Sequence, residues 1–164
     1  MTEALIQEKK RLVEKLGVHF EHVSQIAPLA ARILSFIILT GKKGSTFDDL
    51  LVNLGASKST ISTHLNHLQD LKKIKYFTKS GDRKKYFVFN QDAIIQDIDE
   101  IITNWENLKD IHIEVKQFKK TVNDEDPNDE KPFNLDFHND NIKFLEEATK
   151  SITILKEKIN NQNI

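Results

Sequence analysis

Apolar residues recur along most of this chain at helical spacing, and the places where that spacing lapses mark the ends of elements. Leu5, Leu12, Leu16, Phe20 and Val23 predict a helix over 3–23, with Thr2 placed to cap it. Pro28 begins the next segment, 28–40, at a first-turn position where a missing N–H costs little. That segment is apolar on nearly every side (Leu29, Ala30, Ile33, Leu34, Phe36, Ile37, Ile38, Leu39) and reads as a central core helix. Gly41 and Gly44 end it. A capping-box pattern, Thr46 with Asp49, then precedes Leu50, Leu51 and Leu54. Gly55 supplies a left-handed break, and Ser57 caps a second short helix reaching about residue 71, whose inward stripe is Ile61, Leu65 and Leu68.

The period then changes. Segments 74–79 and 84–89 are rich in β-branched and aromatic residues, and Ser80-Gly81-Asp82 between them is hairpin-turn chemistry. Helical spacing returns over 91–122, where Ile94, Ile101, Leu108, Val115 and Val122 fall at seven-residue intervals with Ile98 and Trp105 between them. Such a seam asks for a helical partner, against the plainer reading of a helix packed within its own chain. His112 and Lys119 come next in the intermediate series, so the seam decays or its register moves onto Ile111 and Phe118. Segment 123–133 is acidic, carries two prolines and reads as a solvent-exposed linker. A last helix over 136–159 repeats Leu145, Ala148, Ile152, Leu155 and Ile159, and the polar tail 160–163 is expected to fray.

The two short helices carry the first functional signal. Opposite the inward stripe of the second lie Ser59, Thr63 and Asn66, flanked by Lys58, Ser62 and His67. Small polar side chains let a helix sink into a major groove and donate to phosphates and base edges at little desolvation cost. Ser57, Thr60 and Ser62, in the first turns, sit where helix N–H groups and hydroxyls hold phosphate. A helix, a glycine turn and a second helix of this kind make a helix-turn-helix; the plainer reading is a helical hairpin whose outer face meets only water. The strand pair decides between them. Lys79, Arg83, Lys84 and Lys85 cluster at its tip, and a hairpin with a basic tip directly after a helix-turn-helix is the layout of a winged helix.

Charge reinforces this reading. Residues 42–89 hold ten lysines and arginines against four aspartates, a balance of +6, while the rest of the chain carries −7 and the whole chain −1. A basic segment inside an acidic protein points to a phosphate-rich partner. The expected architecture is mainly α with a small β-hairpin wing. Residues 1–27 form an N-terminal helix for core and dimerisation, 28–90 the winged helix-turn-helix, and 91–164 the C-terminal dimerisation helices with the acidic linker. The predicted dimerisation residues are Ile94, Ile98, Ile101, Trp105, Leu108, Val115, Leu145, Ile152 and Leu155.

From Ala27 to Phe89 the sequence resembles the DNA-binding core of the MarR superfamily, most closely its GbsR-like branch. The matching stretches are Pro28-Leu29-Ala30-Ala31-Arg32-Ile33-Leu34, Gly55-Ala56-Ser57-Lys58-Ser59-Thr60-Ile61-Ser62 and Gly81-Asp82-Arg83-Lys84-Lys85-Tyr86-Phe87. The resemblance implies a dimeric bacterial transcription regulator whose helix from Ser57 enters the major groove. It also implies that Asp82-Arg83 organises a minor-groove contact. Ala31 and Lys73 depart from the pattern, each standing where the branch often has glycine. Some GbsR-like relatives respond to choline-type cations, so the resemblance extends to a small-molecule effector, which needs an aromatic cage. Trp105 with Phe20 or Phe36 is the candidate set, although those side chains read better as core.

Candidate chemistry is sparse. No Walker loop, nucleophile elbow or dinucleotide fingerprint occurs, so no enzyme is expected. The chain has no cysteine, which excludes disulfides and thiolate zinc sites and fits a reducing, cytoplasmic setting. His19/His22 and His64/His67 are each three apart, but zinc wants three or four ligands, and neither a metal nor another cofactor is expected. No apolar run approaches membrane-spanning length, and the N-terminus lacks a signal-peptide stretch. The sequence therefore predicts a homodimeric regulator of double-stranded DNA, acting as a repressor on a palindromic site. The alternative is a winged-helix scaffold that binds protein without DNA.

Overall fold

The computed structural model describes residues 2–127 and 130–161. Its elements are α1 (Glu3–Ser24), α2 (Pro28–Thr40), a short 3-10 turn (Gly41–Lys43), β1 (Ser45–Thr46), α3 (Phe47–Leu54), α4 (Lys58–Asp70), β2 (Ile74–Thr78), β3 (Lys85–Phe89), α5 (Asp92–Glu125) and α6 (Asp136–Asn161). The chain divides into two compact units, Met1–Ala93 and Ile94–Ile164.

In the first unit, α2 is the central element. Ala30, Ala31, Ile33, Leu34 and Ile37 are essentially inaccessible and meet Leu50 of α3, Ile61, Leu65 and Leu68 of α4, and Ile74 and Phe87 of the sheet. Burying a side chain of this size contributes about 1.5–3 kcal/mol, so this layer dominates the unit's stability. An arginine fastens α1 to α2. Arg32 bonds Glu14 at 2.8 Å, Glu21 at 2.5 Å and the Pro28 carbonyl at 2.9 Å. Its guanidinium is held even further above its ordinary value, first by the Glu21 hydrogen bond, against some desolvation.

The caps form as the sequence predicts. Thr46 accepts from the Asp49 N–H at 3.1 Å while the Asp49 carboxylate accepts from the Thr46 N–H at 2.8 Å. Gly55 ends α3 at φ 63°, giving the tight turn that aims α4. One element is new. Ser45 and Thr46 form a third strand, pairing with Phe87 and Tyr86 so that the sheet order is β1-β3-β2. Gly44 makes this approach feasible: its φ is 76°, and a Cβ there would lie 2.9 Å from Tyr86 Cβ and 3.2 Å from the Phe77 ring. Gly44→Ala is accordingly expected to destabilise the unit by about 2 kcal/mol or more, from left-handed strain plus overpacking, read as a lower urea midpoint.

The junction between α4 and β2 contains no glycine, and its left-handed residue is Lys72, one position before the Lys73 noted above. Lys72 takes the left-handed conformation itself, at φ 55°, a cost of about 1–2 kcal/mol for a residue with a Cβ. Asn90 holds the turn: its side chain donates to the Lys72 carbonyl at 2.8 Å and its backbone N–H to Lys73 at 2.9 Å.

The second unit contains two long antiparallel helices. Asp99 meets Lys156, His112 meets His138, and Asn123 brackets the Phe133 backbone at both its N–H and its carbonyl. Helix α5 continues to Glu125, past the start of the expected linker, so Asn123 to Glu125 are helical. Helix α6 runs to Asn161, and the rest of the tail expected to fray lies outside the described residues.

Candidate nucleic-acid interface

Helix α4 separates its two faces cleanly. Ile61, Leu65 and Leu68 are at most 2% exposed, whereas Lys58, Ser59, Thr60, Ser62, Thr63, Asn66 and His67 are all exposed. Ser57 caps the helix, its Oγ accepting from the Thr60 N–H at 3.2 Å and sharing protons with Ser59 Oγ (3.0 Å) and Thr60 Oγ1 (2.7 Å). Three hydroxyls are thus gathered at a helix N-terminus, where backbone N–H groups and the helix dipole favour a phosphate. Thr63 donates its hydroxyl to the Ser59 carbonyl at 3.0 Å. Its outward chemistry is therefore a methyl group and an accepting lone pair, a narrower repertoire than a free hydroxyl. Asn66, one turn on, presents an amide that both donates and accepts.

The wing is pre-shaped. Thr78 pairs with Lys85, which leaves residues 79–84 as the loop. The Asp82 N–H closes it onto the Lys79 carbonyl at 3.0 Å, with Gly81 at φ 78°. The Asp82 carboxylate then accepts from the Tyr86 hydroxyl at 2.6 Å and the Lys84 N–H at 2.9 Å. Those bonds, Tyr86 first, hold its acid form below the usual carboxylate range. Asp82 therefore organises the tip from within the chain.

Two of the four basic side chains of the wing lie over aromatic rings. Lys79 Nζ is 3.8 Å from the Tyr86 ring centre, and Lys85 Nζ is 4.2 Å from that of Tyr76. Arg83 is exposed at the tip. Lys84 reaches back to Asp48 of α3 at 3.1 Å, a tie between wing and helix-turn-helix that the sequence reading missed. Both partners are exposed and far apart in sequence, and no periodicity signals such a pair.

The predicted dimerisation residues fall into two groups. Ile98 and Leu145 are buried in the single chain, and Ile94, Trp105 and Ile152 are half-buried. Ile101, Leu108, Val115 and Leu155 stay exposed, as do Ile111, Phe118 and Phe144. Neither histidine pair gathers further ligands: among the described residues no group of three or more His, Cys, Asp or Glu is placed to hold a metal. No helix of the described residues is long and apolar enough to cross a membrane. Phe20 and Phe36 belong to the core, and Lys9 covers the Phe36 ring at 4.0 Å.

Together these elements define a winged helix-turn-helix fold. The chain is similar to a solved structure described as a transcriptional regulator, with a TM-score of 0.51 and 21% identity over 94% of this chain and 99% of that one. A second similar structure, a glycine-to-lysine mutant of MepR from S. aureus, matches with a TM-score of 0.41 and 17% identity, covering 76% of this chain and 95% of that one. No protein-family model matches the chain, and no curated protein matches it significantly.

Proposed function

We propose that this chain is a MarR-type transcription regulator of the GbsR-like branch that binds double-stranded DNA as a homodimer and represses from a palindromic site. The observation that carries the reading is the outer face of α4. Seven exposed polar or basic residues there have no part in the core, at the end of a capped helix and beside a wing with four cations. Helix α4 enters the major groove with Thr63 and Asn66 toward base edges and Ser57, Ser59, Thr60 and Ser62 toward phosphates. Lys79, Arg83, Lys84 and Lys85 meet the backbone or a narrow minor groove. Exposed Ile101, Leu108, Val115 and Leu155 supply apolar surface for a second copy, and a two-fold dimer reads half-sites about 10 base pairs apart. A small-molecule effector has room in a cavity of about 570 Å³ between α1, α2 and α3, lined by Ile6, Val13, Phe36 and Leu54 with Lys10 and Arg32.

Selection of bound fragments from genomic DNA, followed by competition against scrambled duplex, tests the proposal. A recurring inverted repeat supports it, and equal affinity for every duplex hands the case to a protein-binding scaffold. The wing has its own test. Replacing Lys84 and Lys85 by alanine is expected to weaken binding to all duplexes alike and to flatten log K against log salt, by roughly 0.9 for each lost Lys85 phosphate contact and by less for Lys84, which is tied to Asp48. Unchanged affinity and slope would take the wing off the DNA.

A further inference from the structure

The second unit contains a polar array whose protons can be assigned one by one. His138 of α6 is 6% exposed, and both of its ring nitrogens are engaged by α5. Lys119 Nζ lies 2.9 Å from His138 Nε2, and His112 Nδ1 lies 3.0 Å from His138 Nδ1. An ammonium group only donates, so His138 Nε2 accepts. The neutral ring then carries its proton on Nδ1 and donates it to His112 Nδ1, which leaves the His112 proton on Nε2. The array runs in one direction, from Lys119 through His138 to His112, and closes only while the His138 ring is neutral.

The surroundings sharpen this requirement. Phe137 packs against both imidazoles, with ring centres 5.7 and 5.5 Å away, and Phe133 lies 5.5 Å from Lys119 Nζ. The charges acting on His138 are those of Lys119, His112 and Lys116, all on α5 and all positive when protonated. Asp136 and Asp140, two residues to either side on α6, are exposed and project from other faces of the helix. A proton added at His138 Nε2 points an N–H at the Lys119 ammonium and sets like charges side by side.

We propose that Lys119, His138 and His112 form an acid-released latch that fastens the N-terminal half of α6 to α5 at neutral pH and frees it on acidification. Burial, then Lys119, His112 and Lys116, hold the His138 imidazole below the ordinary histidine value. A base depressed in the closed state binds its proton more readily in the open one. Closure is therefore fully stable above about pH 6.5 and loses stability as the pH falls below it. Exposed Phe137 and Phe144 lie on the same helix, so release also disturbs apolar surface offered to a second copy. That last step rests on the dimer proposal; the latch does not.

Hydrogen exchange on the full chain at pH 7.5 and 5.5, corrected for intrinsic pH dependence, tests the latch. Protection of the amides over 139–148 is expected to fall about tenfold or more at the lower pH, while the core amides of α2 keep theirs. His138→Gln replaces the ring with an amide that accepts from Lys119 and donates to His112 without titrating, and there the fall should vanish. PH-independent protection in the wild type, or the same fall in the variant, overturns the proposal. Should the variant not fold, the imidazole nitrogen spectrum of the wild type decides. A neutral His138 protonated on Nδ1 at pH 7.5 supports the latch, and a cationic ring or one protonated on Nε2 overturns it. Oligomer mass at both pH values reads assembly separately, so release without a change in mass removes only the link to the dimer.

Discussion

Replacing Thr63 and Asn66 together by alanine is expected to leave the melting temperature nearly unchanged while specific DNA affinity collapses. Both side chains are exposed on α4, opposite the buried stripe of Ile61, Leu65 and Leu68, so their removal opens no cavity. The Thr63 hydroxyl is already committed to the Ser59 carbonyl. In the proposed complex its contribution would be a methyl packed on thymine or a lone pair accepting from a base amino group, and Asn66 would supply a bidentate contact to adenine. Each lost base contact costs about 1–3 kcal/mol, and a two-fold complex loses it in both half-sites. Non-specific binding, carried by the wing and the helix N-terminus, should persist. A competition titration of specific against scrambled duplex measures the difference. Equal loss on both duplexes would reassign these residues to positioning the backbone.

Leu108→Glu is expected to separate the dimer without unfolding the chain. Leu108 is 42% exposed in the single chain, so the introduced carboxylate remains hydrated there. In a two-fold interface the same carboxylate is buried twice with no partner, at a cost on the order of 3–5 kcal/mol. Light scattering at micromolar concentration should give about twice the 19.0 kDa chain mass for the wild type and the single mass for the variant. A monomeric wild type would remove both the dimer and the palindromic-site argument. Ile98→Glu provides the contrast, because Ile98 is 5% exposed in the single chain and a charge there should lower its stability directly.

The fold was legible wherever local chemistry and burial agree. The capping box at Thr46, the left-handed Gly55, the Ser57 cap and the three-residue stripe of α4 are all short-range signals, and each predicts its element closely. Strand β1 was not legible, because two residues carry no alternation and its pairing with β3 spans some forty positions. The seam of α5 was half legible. A seven-residue repeat looks the same whether the partner helix belongs to this chain or another. His112 and Lys119 looked like a decaying seam because their partner, His138, is polar and remote in sequence. Ile111 and Phe118, where a shifted register would have placed the seam, are exposed. On the candidate interface, sequence separated the exposed face of α4 from its buried one. It did not reveal that Thr63 spends its proton on its own helix, or that Asp82 uses its carboxylate to bind Tyr86.

The tie between Lys84 and Asp48 gives the two neighbouring lysines of the wing different roles in ion exchange. Among the described residues no carboxylate forms an ion pair with Lys85, so it would leave none on meeting a phosphate; its ammonium rests on the Tyr76 ring. On the proposed DNA complex Lys84 would exchange one anion for another, and the Asp48 carboxylate it abandons would recruit a cation from solution. Cation uptake at Asp48 then cancels part of the counterion release at the phosphate, so Lys84 should bind DNA with a weaker salt dependence than Lys85. Removing Asp48 would restore the full dependence and tighten binding most at low ionic strength.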